Sequence, residues 1–104
     1  MAYELFFGRS IAGHREVSDR AWQDFLAQVV TPNLTNGYTV FDATGHWRSP
    51  TTGHTVDERT KVLLAALPDT PDSAAAIDRV RQRYAAEFGQ SLVGMTVTPV
   101  CGEF

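Results

Sequence analysis

One cysteine, Cys101, stands in 104 residues, which excludes an internal disulfide and any cysteine-rich metal centre and fits a reducing compartment. No stretch approaches the roughly 20 apolar residues that span a bilayer. The amino terminus, MAYELFFGRS, has neither a basic leader nor a long apolar segment, so a cytoplasmic protein without a membrane partner is expected. Nine Lys and Arg against twelve Asp and Glu give a formal net charge of −3, and that balance supplies no overall positive field for nucleic acid. The small cluster Arg79, Arg81 and Arg83 reads as a solvated helix face, with Arg83 four residues before Glu87. Phosphate-cradling glycine loops, a nucleophile elbow and serine or cysteine triad signatures are all missing, so no nucleotide or other cofactor is expected. His46, His54 and Glu58 include ordinary zinc ligands, but their spacing matches no ligand motif, and no metal is expected. The sequon Asn33-Leu34-Thr35 reads as a turn.

What the chain does hold is enough for one domain, residues 1–104, at an ordinary 43% hydrophobic and 20% charged composition. Tyr3 to Arg9, YELFFGR, reads as a first strand, and Ser10 to Val17 as a loop. Ser18 is a good helix N-cap. Trp22, Phe25, Leu26, Val29 and Val30 then recur at helical spacing until Pro32, where the helix is expected to stop. Asn36-Gly37 supplies a turn before a strand from Tyr38 to Trp47. After a loop at Ser49 to Gly53, His54 to Leu67 returns as its hairpin partner. Thr70-Pro71 opens a second helix marked by Ile77, Val80, Tyr84 and Phe88 and stopped by Gly89, and Leu92 to Val100 is a last strand.

The order βαββαβ predicts an α+β, ferredoxin-like fold: a four-stranded antiparallel sheet with two helices on one face and the first and third strands central. Leu5-Phe6-Phe7 and Val62 to Leu67 are apolar at both parities, whereas a half-solvated sheet alternates. Both faces are therefore expected to be covered, the second by another copy of the chain in a homodimer.

Chemistry concentrates between Gly37 and Leu67, which crowds two of the three histidines beside Asp42, Arg48, Asp57, Glu58, Arg59 and Lys61. Glu4, His46, Arg48, Glu58, Arg59 and Lys61 are expected to share one end of the sheet. There Glu58 is the candidate general base and His46 the candidate acid or orienting group, since a carboxylate and an imidazole in a partly apolar setting can be tuned for proton transfer. Arg9, His14, Thr39 and Gln90 are expected at the opposite end. Arg9 either grips a ligand's carboxylate or phosphate or salt-bridges Asp42 or a helix carboxylate. Arg48, Lys61, Tyr84 and Gln90 complete the candidate binding set, although the Tyr84 ring also suits the core, its hydroxyl bound locally. Trp22 and Trp47 read as core aromatics first and ligand-stacking surfaces second.

ELFFGRS, VSDRAWQDFLAQVVTP, GYTVFDATGHWR, DERTKVLLAAL and YAAEFGQSLV occur in order across nearly the whole chain. These blocks resemble the domain of unknown function 3574, a family of short bacterial proteins. Arg9, Trp22, Asp42, Trp47, Glu58, Lys61, Tyr84 and Gln90 fall within them, whereas NLTNG at Asn33 to Gly37 stands where the family usually has an FPDG-like segment. The resemblance supports the fold and the residue shortlist, and no activity comes with it.

The reading that follows is a small cofactor-independent acid/base enzyme, of isomerase, cyclase or lyase type, acting on an organic acid or an aromatic or polyketide-like metabolite. Glu58 takes the proton, His46 returns one, and Arg9 or Lys61 holds the substrate's anion. A non-catalytic module that binds a small molecule or a protein is the alternative, and a cofactor-free oxygenase a third.

Overall fold

The computed structural model describes residues 1–11 and 15–103. Strand β1 (Ala2–Gly8) is followed by a two-residue antiparallel pair, β2 (Ser10–Ile11) and β3 (Arg15–Glu16), where the sequence predicts only a loop. Ser18 then caps α1 (Asp19–Phe25), its side chain accepting the Ala21 N–H. The helix does not end at Pro32. It passes through a π turn, Leu26–Val30, into α2 (Thr31–Asn33) as one continuous rod. Proline lacks an N–H and its ring crowds the carbonyl four residues earlier. Just before Pro32 the Thr31 N–H reaches back five residues, to the Leu26 carbonyl, and the widened turn accommodates a residue that regular α geometry rejects.

Gly37, at φ 110°, makes the turn into β4 (Thr39–Arg48), which pairs with β5 (Thr55–Ala66). Helix α3 (Pro71–Phe88) starts on a Thr70 side chain that accepts the Ser73 N–H and stops at left-handed Gly89, and β6 (Gly94–Thr98) closes the sheet. The sheet order is β4-β5-β1-β6, and every neighbouring pair is antiparallel. The chain is thus an α+β protein, with four antiparallel strands in its main sheet and two helical rods.

Register assigns the faces. Tyr3, Leu5 and Phe7 stand opposite Ala65, Leu63 and Lys61. The apolar members of this set join Trp22, Phe25, Val29, Val30, Ile77, Val80 and Tyr84 in one buried cluster. Phe7 sits at its centre, its ring edge-on to Trp22, Phe25 and Tyr84 at centroid distances of 5.1, 6.1 and 4.8 Å. Each such pair adds about 0.5–1.5 kcal/mol beyond area burial. The alternate residues face away from the helices, and Phe6, Phe41, Trp47 and Leu64 remain 37–47% exposed there. Among the described residues of one chain, therefore, only one sheet face is covered by helices.

The β4–β5 ladder overruns the rest of the sheet. β1 ends at Gly8 opposite Thr60, whereas β4 and β5 stay paired out to Arg48 opposite Thr55. This two-stranded arm lengthens the molecule to 42 × 27 × 21 Å and raises its radius of gyration to 14.2 Å, against about 13 Å for a compact chain of this size.

Candidate functional site

Four of the shortlisted side chains converge where β1 ends. Tyr84 donates its hydroxyl to the Gly8 carbonyl at 2.6 Å, and the Gln90 amide donates to the Ser10 carbonyl. The Glu58 carboxylate accepts the Ser10 N–H at 3.0 Å. Arg9 donates its backbone N–H to Arg59 O, and its side chain donates to Val17 O and to Asp19. Gly8 permits this arrangement: a Cβ there would lie 2.6 Å from both Glu58 carboxylate oxygens. Burial, followed by the nearby charge of Glu58, pushes the Tyr84 phenol well above its ordinary range, with Arg9 opposing. The phenol therefore stays protonated and acts as a donor.

On the open face Glu58 lies along the strand from Val56, which pairs with Trp47, and from Thr60, which pairs with Gly8. Phe6 is two residues before Gly8 on the same face. The half-buried Glu58 thus shares the open face with two partly exposed aromatic side chains, Trp47 toward the arm's tip and Phe6 on β1. Such a surface can stack a flat apolar group while presenting it with a base. Gly45, directly opposite Glu58, and Gly94 leave room for Thr60 and the Phe6 ring respectively.

Lys61 and Arg9 point to the helix side. Lys61 is 9% exposed and pairs with Asp42 at 2.5 Å, while Arg9 is 3% exposed and pairs with Asp19 at 3.0 Å. The hydrogen bond and charge of Lys61 hold the Asp42 carboxyl below its ordinary range, with smaller contributions from Arg9 and Arg59. Of the two readings of Arg9, the salt bridge to a helix carboxylate is the one seen, and its partner is Asp19.

Several expected groupings are not formed. Glu4 lies opposite Leu64 and accepts from Thr96, and Thr39 also pairs with Leu64. Because β1 and β5 are antiparallel, the start of β1 meets the end of β5, so Glu4 and Thr39 share one end while Glu58 joins Arg9 and Gln90 at the other. His46 is opposite Asp57 and bonds it at 2.7 Å, one residue out of phase with Glu58 and thus on the other face. Arg48 is exposed at the arm's tip, where its guanidinium lies over Gly53. Trp47 is on the open face, not in the core. Arg81 binds the Val93 carbonyl and Arg79 binds Asn33, so these two arginines brace α3 and are not simply solvated. His14 lies outside the described residues. Ser10 and Asp19 were not singled out by sequence, since one acts through its backbone and the other depends on the fold to meet Arg9.

An open apolar groove of about 660 Å³ lies at the other end of the sheet, lined by residues that include Ala2, Tyr3, Asn36, Tyr38 and Leu64. Among the described residues no group of three His, Cys, Asp or Glu side chains is placed to hold a metal ion, and no helix is long and apolar enough to cross a membrane.

Fold and surface together define a small α+β protein with a half-open antiparallel sheet. The chain belongs to the family described as "Protein of unknown function (DUF3574)", whose pattern matches residues 2–104. No curated protein matches it in sequence. Among solved structures, a phage SAM lyase in complex with S-methyl-5'-thioadenosine superposes with a TM-score of 0.69 at 13% identity, over 90% of this chain and 76% of that one. At that identity the likeness shows a shared fold.

Proposed function

We propose that the protein is a small acid/base enzyme of lyase or isomerase type, with Glu58 as its base and the aromatic open face as its substrate surface. The observation that carries this reading is the placement of Glu58. Its carboxylate is fixed over Gly8 by the Ser10 N–H, and the residue stays partly exposed on the same face as Trp47 and Phe6. The strand order supports a ferredoxin-like architecture, and a structural neighbour that is a lyase supports the reaction class by analogy. S-adenosylmethionine, a sulfonium nucleoside, lies outside the organic-acid and aromatic or polyketide-like class expected from sequence, and the fold likeness to a SAM lyase alone makes it the first compound to try. His46 enters the proposal as an acid only if a second subunit brings it to the open face.

Two further elements belong to the proposal. A second copy covers the open face at Phe41 and Leu64, leaving Glu58, Trp47 and Phe6 as a cleft at the edge of the subunit contact; a Phe41→Asp change is then expected to shift the sedimentation profile toward monomer. A cytoplasmic setting rests on the lone, exposed Cys101. A non-catalytic binder is the alternative, favoured by the distance along the sheet between the apolar groove and Glu58.

The test is chromatographic: S-methyl-5'-thioadenosine is sought after incubation with S-adenosylmethionine, and a panel of aromatic and polyketide-like acids follows. On any compound that turns over, Glu58→Gln is expected to keep KM near wild type and to lower kcat by about 10²–10⁴-fold. Wild-type turnover by that variant would remove Glu58 from the role of base.

A further inference from the structure

Arg9 is 97% removed from solvent, and its Nη1 is buried with no hydrogen-bond acceptor among the described residues. A buried guanidinium N–H left unpaired is costly, and in folded proteins such a group usually marks a water or ion that completes it. Arg9 stands across from Arg59, whose carbonyl takes its backbone N–H, and Lys61 is the next residue of β5 on that face. Arg9, Arg59 and Lys61 therefore form a diagonal row of cations on the helix side. The carboxylates that meet this row, Asp19, Glu16 and Asp42, have side chains 85%, 43% and 73% exposed, whereas those of Arg9 and Lys61 are only 3% and 11% exposed. Arg9 and Lys61 are thus built into the protein while Asp19 and Asp42 are surface side chains; Arg59, 60% exposed, is itself a surface group at the end of the row. Asp42 leans in from the edge strand β4, so the position of its carboxylate opens directly to solvent.

We infer that the Arg9–Lys61 row is a binding site for a small oxyanion, the carboxylate or phosphate group of a metabolite, and that Asp42 is an internal competitor occupying it in the free protein. The ligand displaces the Asp42 carboxylate from Lys61 and completes Arg9 Nη1. Nothing in this depends on Glu58, which lies on the opposite face of the sheet.

The experiment is an NMR titration of the whole chain with sodium phosphate and, separately, sodium acetate, at constant ionic strength with chloride as the reference. The Arg9 and Arg59 side-chain N–H signals and the backbone of Asp42 and Lys61 are followed. Saturable shifts confined to these residues are expected, and the salt that produces them identifies the phosphate or the carboxylate source. Asp42→Asn is exposed enough to fold normally and is expected to tighten binding by about two- to fivefold, since the competing surface pair is worth at most about that much. Lys61→Met keeps the stem's volume and is expected to weaken binding by about tenfold, the usual worth of one charge-assisted bond. Shifts reproduced by chloride, equal or weaker binding by Asp42→Asn, or undiminished binding by a folded Lys61→Met overturns the assignment.

Discussion

Replacing Gly8 by alanine isolates the contact on which the proposed base depends. The new Cβ would fall 2.6 Å from each Glu58 carboxylate oxygen and 2.7 Å from Cδ. Backbone strain is not involved, since Gly8 is not among the positive-φ glycines. The carboxylate is the far end of a flexible side chain, so it swings away and gives up its 3.0 Å bond from Ser10 N–H. A hydrogen bond to a charged group is worth about 1.5–3 kcal/mol, and this exposed one belongs at the low end. Against it, losing glycine's conformational freedom in the unfolded chain stabilises by roughly 0.5–1 kcal/mol. Gly8→Ala should therefore destabilise by about 0.5–1 kcal/mol in the wild-type chain. In a Glu58→Ala background the obstruction is gone, and the same change should stabilise by roughly 0.5–1 kcal/mol. The sign reverses, with a coupling of about 1.5 kcal/mol. Thermal melts of the four chains read this directly, at about 4–8 °C per kcal/mol for a domain of this size. Equal effects of Gly8→Ala in both backgrounds would refute the contact.

Tyr84→Phe removes the donor to Gly8 O within the buried aromatic cluster and is expected to lower stability by about 1–2 kcal/mol, measured by urea denaturation. Asp42 has a folded pKa below its ordinary 3.8 because Lys61 stabilises the charged form. Its contribution is therefore complete above about pH 4 and is lost as the pH falls through the lowered folded value. A carbon-detected NMR titration should place its midpoint below 3.8, and Lys61→Met should move that midpoint upward.

The helices and their caps were legible because Trp22, Phe25 and Val29, and Ile77, Val80 and Tyr84, repeat at helical spacing behind Ser18 and Thr70. The four strands of the main sheet were legible from their β-branched and aromatic runs, whereas the two-residue pair β2 and β3 was not. Strand faces were not. Leu5-Phe6-Phe7 and Val62-Leu63-Leu64 are apolar at both parities, so nothing local says that Leu5 and Leu63 face the helices while Phe6 and Leu64 do not. Register was equally hidden, and with it the meeting of Glu58 with Gly8 in place of Glu4. Pro32 ends a regular helix by local rules, and here a π turn absorbs it. A salt bridge from Arg9 to a helix carboxylate is among the alternatives the sequence offers, although which carboxylate it meets depends on where α1 begins.

The overrunning arm gives two strands of one hairpin very different lives. From Phe41 and Val62 inward, backbone amides lie in a sheet backed by the aromatic core and open only when the whole domain does. From His46 and Asp57 outward the same ladder pairs with no third strand among the described residues, so it can unzip from the Ser49–Gly53 tip without disturbing the core. Deuterium uptake should accordingly run as a gradient along β4 and β5, fast at Trp47 and Val56 and slow at Val40 and Leu63, which sets Glu58 on the boundary between the fluctuating and the rigid halves.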